Sequence, residues 1–423
     1  MSRKRYVVVG ASAAGMAAAQ AVAAFDPQGA ICVLSEEPDA PYFRPMIPFL
    51  ISRKKQAAQI ALQGQGPYRV PVEVRLGTRA RRIDASAARV MTDRDEAVPY
   101  DRLLIATGSR PYLPPDIEGL DQEGVFALRT LEDARRAAQR AEKTRRAVML
   151  GGGLLNLKAA FALLERGIEV TLVVFSPEVL SQLMEPEDAV LIRQALEQAG
   201  LEILTGVSAR RIVGNETGVC GVALDDGREI ECQMVCVGKG VRPNTDWLDP
   251  QVVELNGGVV VDAFTRTRST DIFAAGDVAV TFDPVSGAPI NTGLWTNAAE
   301  MGRCAGANMA GRPTAYGGTL GILNATQVAR MPFVAMGGVH TRRRPCEVHV
   351  RRAPGAYRKL VFTPEGDRLE GALFVGDIAR AGLYRALIGR TVSGAVKRHV
   401  IDHTLHYGHL LCAKELETEA RKT

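Results

Sequence analysis

The chain has 423 residues, 46% hydrophobic and 23% charged, a profile that fits two or three globular domains and excludes a disordered or fibrous chain. No apolar run approaches the roughly 18 residues that a membrane-spanning helix needs. The net charge of +5 is uneven: residues 312–423 carry 18 Lys/Arg against 9 Asp/Glu, and the rest is net negative. With no interleaved aromatics and no nucleic-acid motif, that basic third argues against DNA or RNA. It is either a docking face for an acidic partner or a solvated surface. The 42 glycines show no collagen-like period and point to tight turns and close backbone approaches.

In chain order, Arg5–Val9 reads as a buried β-strand and runs into Gly10-Ala11-Ser12-Ala13-Ala14-Gly15. An Ala-rich helix over Met16–Phe25 follows, then a strand over Ala30–Leu34 ending in Ser35-Glu36-Glu37. Strand, glycine turn and helix are what a dinucleotide pyrophosphate requires. The turn admits the phosphates, and the helix start supplies N–H donors and partial positive charge. Ser12 replaces the middle fingerprint glycine and is small enough to allow the same approach. Gly10, Ser12, Ala13, Ala14, Gly15 and Ala80 are candidate contacts, and either Glu36 or Glu37 is placed to accept from ribose hydroxyls, with Glu36 favoured. Met1–Phe25 also mimics a secretory signal, but Gly10 and Gly15 fit the nucleotide turn better, so a cytoplasmic protein is expected.

The plan repeats downstream. A strand over Ala147–Leu150 enters Gly151-Gly152-Gly153-Leu154-Leu155-Asn156, followed by a helix over Leu157–Arg166, Gly167 as its cap and a strand over Glu169–Val174. Two such units imply two dinucleotides.

The seven cysteines form no C-x-x-C or C-x4-C pair, and no spacing suits zinc or an iron–sulfur cluster. Cys232 and Cys236, four apart in an apolar strand-like run, are expected on one buried face. His399, His403 and His406 have helical spacing and are expected to share a helix face rather than hold a metal.

Specific motifs then carry a resemblance. Pro41-Tyr42-Phe43-Arg44-Pro45-Met46-Ile47-Pro48-Phe49 resembles the Pro-Tyr-x-Arg-Pro-Pro-Leu run of NAD(P)H-dependent ferredoxin and rubredoxin reductases, the flavoprotein domain of assimilatory nitrite reductase, and apoptosis-inducing factor. Thr270–Asp277, ending in Ala275-Gly276-Asp277, resembles the second FAD fingerprint of that superfamily. Tyr100–Gly108, ending in Ala106-Thr107-Gly108, resembles its domain-closing strand, and Gly238–Asn244, including Gly240, the run that returns from the NAD domain to FAD. The resemblance implies that Glu36 binds ribose, Arg44 the FAD phosphates and Asp277 the ribityl chain. Backbone N–H groups near Leu294 and Trp295, at the start of a helix within Asn291–Gly311, would face the flavin. Gly151, Gly153, Leu154, Leu155 and Lys158 would meet the nicotinamide nucleotide.

The chain departs from the family pattern at several places. Asn156 stands for the third fingerprint glycine and Lys158 for an acid. Val174 stands for the usual Glu of NAD enzymes, and Phe175 is not the base expected for a 2′-phosphate. Phe49 replaces a Lys beside the flavin. Weakened nicotinamide binding is one expectation, and NAD is expected with NADP possible. Lys158 either contacts the nucleotide or is an exposed helix residue. Met46 occupies the place used by single-cysteine relatives, and no cysteine lies between Cys32 and Cys220, so a thiol mechanism is not expected.

The expected fold is α/β. Two Rossmann-like domains are expected, FAD over 1–111 and 256–312 and NAD(P) over 112–255. An α+β interface domain follows over 313–423, with strands at Tyr357–Phe362 and Leu369–Asp377 and a helical tail over Ala395–Glu419. The expected activity moves electrons between NAD(P)(H) and an iron–sulfur protein or subunit docking near the basic third. It proceeds by hydride transfer between nicotinamide and flavin, with no protein group as acid, base or nucleophile and no metal. A particular form is the FAD subunit of a bacterial aldehyde or 2-oxoacid (phenylglyoxylate-type) oxidoreductase. The alternative is an FAD-binding redox-sensing or assembly protein that turns over slowly.

Overall fold

The computed structural model describes residues 3–62, 72–342, 344–392 and 394–410. β-branched and apolar runs buried on both faces build two parallel sheets, as such runs do where helices cover each side. The first sheet has the order Ile272–Ala274, Arg102–Ile105, Arg5–Val9, Ala30–Leu34, Glu73–Arg75, every neighbour parallel. It therefore recruits a strand from far along the chain. The second has the order Glu202–Thr205, Glu169–Val174, Arg146–Leu150, Met234–Val237, Val125–Phe126, again all parallel. The third is antiparallel: Leu323–Val328, Met331–Gly337, Leu369–Val375, Ala356–Phe362, Glu347–Ala353. This is the α/β fold expected from sequence.

Small residues set how closely the first domain's helices approach. Helix Ala13–Phe25 lies against helix Trp295–Met309. A Cβ on Gly302 would fall 2.1 Å from the Ala14 carbonyl oxygen, and one on Gly306 would fall 2.3 Å from that of Ala18. The contact brings both helix N-termini to the same end of the sheet.

Several sequence expectations shift. The first helix starts at Ala13, not Met16, because its free N–H groups must open directly from the glycine turn. The second-unit helix likewise spans Leu154–Leu164. The C-terminal helix covers Gly394–Asp402 and stops where His403 adopts φ +61°. His403 packs against Tyr384 and Phe374, whereas His399 stacks on His409, so His399, His403 and His406 do not share one helix face. Residues 407–410 are helical again, and Cys412 and the expected tail from residue 411 on lie outside the described residues. Cys232 and Cys236 are both buried but join different core clusters, because Cys232 precedes the strand that carries Cys236. Among the described residues no helix is long and apolar enough to cross a membrane.

A buried ion cluster ties the third sheet to the second unit. Lys359, 3% exposed, donates to Glu185 and, at 2.9 Å, to Asp188, which also accepts from the Tyr357 hydroxyl. Glu185 accepts further bonds from the Thr341 and Arg342 backbone N–H groups and the Thr341 hydroxyl. Burial alone would raise the Glu185 carboxyl, but Lys359 and these donors bring it down to about 2. The folded value lies below the ordinary 4.5, so this carboxylate stabilises the fold above that pH and loses its contribution as pH falls toward 2. Acid titration of stability should therefore show a decline through this window that flattens in Glu185→Gln. Lys359→Met, which strands two buried carboxylates, should cost about 3–5 kcal/mol in urea unfolding at neutral pH.

Candidate functional site

A cleft of about 1210 Å³ opens where the C-terminal ends of the first sheet meet the start of helix Leu154–Leu164 and strand Leu323–Val328. One wall is the first glycine turn. Gly10 holds φ +116°, and a Cβ there would strike the Ala106 carbonyl oxygen at 2.1 Å; one on Gly15 would strike the Gly10 oxygen at 1.8 Å. Ser12 is the N-cap but makes no side-chain cap bond, and the first intrahelical bond is Met16 N–H to Ser12 C=O. The N–H groups of Ala13, Ala14 and Gly15 thus precede the helical ladder and remain for an anion.

Ser12, Ala13, Ala14, Glu36, Glu37, Arg44, Ala80, Ala106, Thr107, Gly108, Gly276, Asp277, Leu294 and Trp295 all line this cleft with Gly10. Gly15 stands behind it as a packing glycine. Gly276 has φ +80°, and a Cβ there would lie 3.0 Å from that of Ala14, so the Gly-Asp turn sits tightly against the first helix.

The two acids differ. The Glu36 carboxylate is 65% exposed, with only a 3.6 Å ion pair to Arg79, and keeps acceptor capacity for a ligand. Glu37 is committed to protein: its Oε1 accepts from Arg44 Nη2 at 2.6 Å and its Oε2 from the Tyr42 hydroxyl at 2.6 Å. Arg44 Nη1 also donates to the Tyr42 hydroxyl (3.0 Å) and the Arg129 carbonyl (2.7 Å). Three of the five guanidinium N–H groups are thus satisfied within the protein, which limits what Arg44 can offer a phosphate.

Arg129 carries the network onward. Its Nη2 donates at 2.9 Å to Asp277 Oδ2, which also accepts from Ser109 Oγ at 2.8 Å. Sequence reasoning missed Arg129, Tyr42 and Ser109 as site residues. The available signal was Arg129-Thr130-Leu131-Glu132-Asp133, a capping box whose Thr130 and Asp133 fix the loop holding Arg129. Trp247, also in the lining, was missed; its indole N–H is shut off from solvent and has no protein partner. This orphaned donor, the free helix-start N–H groups, the glycine cradle and the acids Glu36 and Asp277 fit a dinucleotide of FAD type. Trp295 is half-buried and stacks on Phe43, centroids 5.1 Å apart, so it serves packing and lining together. Phe49 is exposed and outside the lining.

The second glycine turn keeps its geometry despite its departures. Gly151 holds φ +106°, and a Cβ there would meet the Gly238 carbonyl oxygen at 2.4 Å. Asn156 is buried, and its Nδ2 donates to the Leu150 carbonyl at 3.1 Å and the Gly151 carbonyl at 2.8 Å. The residue in place of the third glycine therefore braces the turn, and Gly238 must be small because of it: a Cβ there would lie 2.5 Å from the Asn156 side chain. Gly151, Gly153 and Gly240 lie outside the cleft lining, whereas Leu154, Leu155 and Lys158 are in it. Burial depresses the Lys158 ammonium. Val174 is buried and Phe175 is 71% exposed, so the strand end offers neither carboxylate nor guanidinium to a ribose.

Among the described residues no cysteine lines the cleft. Burial pushes the Cys32 thiol up to about 11 and those of Cys232 and Cys236 up to about 12, so none is a thiolate at neutral pH. Among the described residues no group of His, Cys, Asp and Glu is arranged to hold a metal.

Arg129→Met removes the cation paired with Asp277, so flavin content per chain, read from the visible-to-protein absorbance ratio, should fall severalfold. Arg44→Ala should lower it as well, through collapse of the Glu37–Tyr42 wall.

Residues 4–302 match the family model described as pyridine nucleotide-disulphide oxidoreductase. Among curated proteins, the chain is 29% identical over 393 residues to the NADH-dependent phenylglyoxylate dehydrogenase subunit epsilon of Aromatoleum evansii, covering 91% of each. It is 30% identical over 311 residues to the rubredoxin-NAD(+) reductase of Ectopseudomonas oleovorans, covering 73% of this chain and 80% of that protein. It spans only 51% of the longer assimilatory nitrate reductase electron transfer subunit of Bacillus subtilis, at 26% identity. Among solved structures, an NAD-dependent persulfide reductase from A. fulgidus superimposes with a TM-score of 0.84 at 26% identity, over 92% of this chain and 77% of that one. The chain belongs to the pyridine nucleotide-disulphide oxidoreductase family and is an NAD(P)H-dependent flavoprotein enzyme that binds FAD and NAD.

Proposed function

We propose that this enzyme carries electrons between a nicotinamide nucleotide and an iron–sulfur protein or subunit, without a redox-active disulfide. The observation that carries the reading is the cleft itself: it joins the first glycine turn to the helix of the second and has no thiol in its wall. FAD, when bound, accepts two electrons together and can release them singly.

The protein's own groups do the holding. The helix start at Ala13–Gly15 meets the pyrophosphate, Glu36 the adenosine ribose and Asp277, steadied by Arg129 and Ser109, the ribityl chain. Leu294 and Trp295 begin a helix whose positive end faces the flavin. Leu154 and Leu155 give the second unit's side of the cleft an apolar surface. No side chain is asked to move a proton.

The full-length match to a subunit of an NADH-dependent dehydrogenase favours a place in a multi-subunit 2-oxoacid oxidoreductase, with electrons arriving from clusters on another chain and leaving to NAD+. The rubredoxin-NAD(+) reductase match supports a freestanding reductase as the near alternative. Either reading calls for a one-electron partner on a separate polypeptide. Arg351, Arg352, Arg380 and Arg398 are exposed, which leaves positive charge of the C-terminal third at the surface for an acidic partner.

Mixing the FAD-loaded protein anaerobically with NADH should bleach the flavin within the turnover time of an enzyme; bleaching over minutes would favour the slow redox-sensing reading. Reduction of an acidic iron–sulfur acceptor should slow as salt rises through the range where the Debye length falls from about 10 to about 3 Å. A salt-independent rate would remove docking at the basic third. Gentle purification from the source should bring down a cluster-rich subunit if the complex exists.

A further inference from the structure

The charges of the cleft balance in pairs, with a residue. Arg44 is matched by Glu37, Arg79 by Glu36, Arg110 by Asp246 and Arg129 by Asp277, while Asp39 and Glu132 pair with Arg135 and Asp133 accepts from the Arg129 and Thr130 backbone N–H groups. Arg385 is exposed at the rim. Lys158 is different: it is half-buried, lines the cleft and has no hydrogen-bond or ion-pair partner among the described residues. Burial lowers its pKa, and no neighbouring charge opposes that. An ammonium held beside Leu154 and Leu155 without a counter-charge is unfavourable in the ligand-free protein, so its counter-charge comes from what the cleft holds.

The position indicates which part of the ligand this is. The turn that would cradle the second pyrophosphate, Gly151 to Gly153, is outside the cleft lining, while Lys158 is inside it. Its helix also packs against helix Pro48–Ile51.

We propose that Lys158, on the helix that follows the second glycine turn, supplies the positive charge that balances the electrons stored on the flavin. This rests on reading the cleft as the flavin site. NADH leaves as NAD+ after passing two electrons and one proton to the flavin, which thereby gains one net negative charge. A fixed ammonium in a poorly solvated wall favours that state and raises the flavin's reduction potential.

The test uses FAD-loaded full-length protein, free of nicotinamide nucleotide, equilibrated anaerobically with a redox dye. Lys158→Met should shift the two-electron equilibrium toward oxidised flavin by about tenfold or more, equivalent to about 30 mV. Lys158→Gln, which keeps a polar group without charge, should follow Met, and Lys158→Arg should stay within about threefold of wild type. An unchanged equilibrium in both the Met and Gln variants would overturn the proposal. So would a loss of NADH affinity with no change in potential, which would return Lys158 to the nucleotide pocket. Wild-type protein that takes up no FAD would sink the flavin assignment itself, a failure visible before any variant is made.

Discussion

Arg129 is the link on which the cleft depends. Its backbone carbonyl accepts from Arg44 and its guanidinium donates to Asp277, so one residue ties the ribose-side acids to the Gly-Asp turn. The joined groups come from positions 37–44, 109, 129–131 and 277, which only the folded sheet brings together. Partly buried charges of this kind persist only when each has a partner with good geometry. The chain Glu37, Tyr42, Arg44, Arg129, Asp277, Ser109 meets that condition and fixes the wall without a ligand. Preorganisation follows: the groups left free, at the helix start and on Glu36, already face a formed space.

The fold was legible because its signals are local. A β-branched run, a glycine that must adopt positive φ and a small-residue helix each declare themselves within a dozen residues, as at Arg5–Phe25 and Arg146–Leu164. Helix starts were misjudged by three residues at both turns, because apolar periodicity marks where a helix is buried rather than where its free N–H groups begin. The tie between Lys359 and Glu185/Asp188 was not legible, since its partners lie about 170 positions apart. The same holds for Arg129, which nothing in its own neighbourhood marks as a partner of Asp277. Cys232 and Cys236 were placed on one face from spacing alone, and a break in the strand between them undid that.

The departures from the family pattern divide into two kinds. Asn156 is compensated within the fold: its amide closes on the turn carbonyls, and Gly238 leaves room for it. Lys158 has no such internal answer among the described residues. A substitution satisfied by its surroundings preserves geometry, whereas one left unsatisfied points toward a ligand. That contrast connects local sequence change to the electrostatics of the cleft, and through it to how readily electrons are held there.

The central claim is that electrons enter from a nicotinamide nucleotide and rest on flavin alone before leaving for another protein. Anaerobic titration of the FAD-loaded protein with NADH tests it most directly, because a disulfide beside the flavin would store a second electron pair. Complete bleaching of the flavin's visible absorbance is expected after about one equivalent of NADH per bound FAD, with the cofactor as the sole electron store. A requirement for about two equivalents, with a thiolate-to-flavin charge-transfer band at the halfway point, would contradict it.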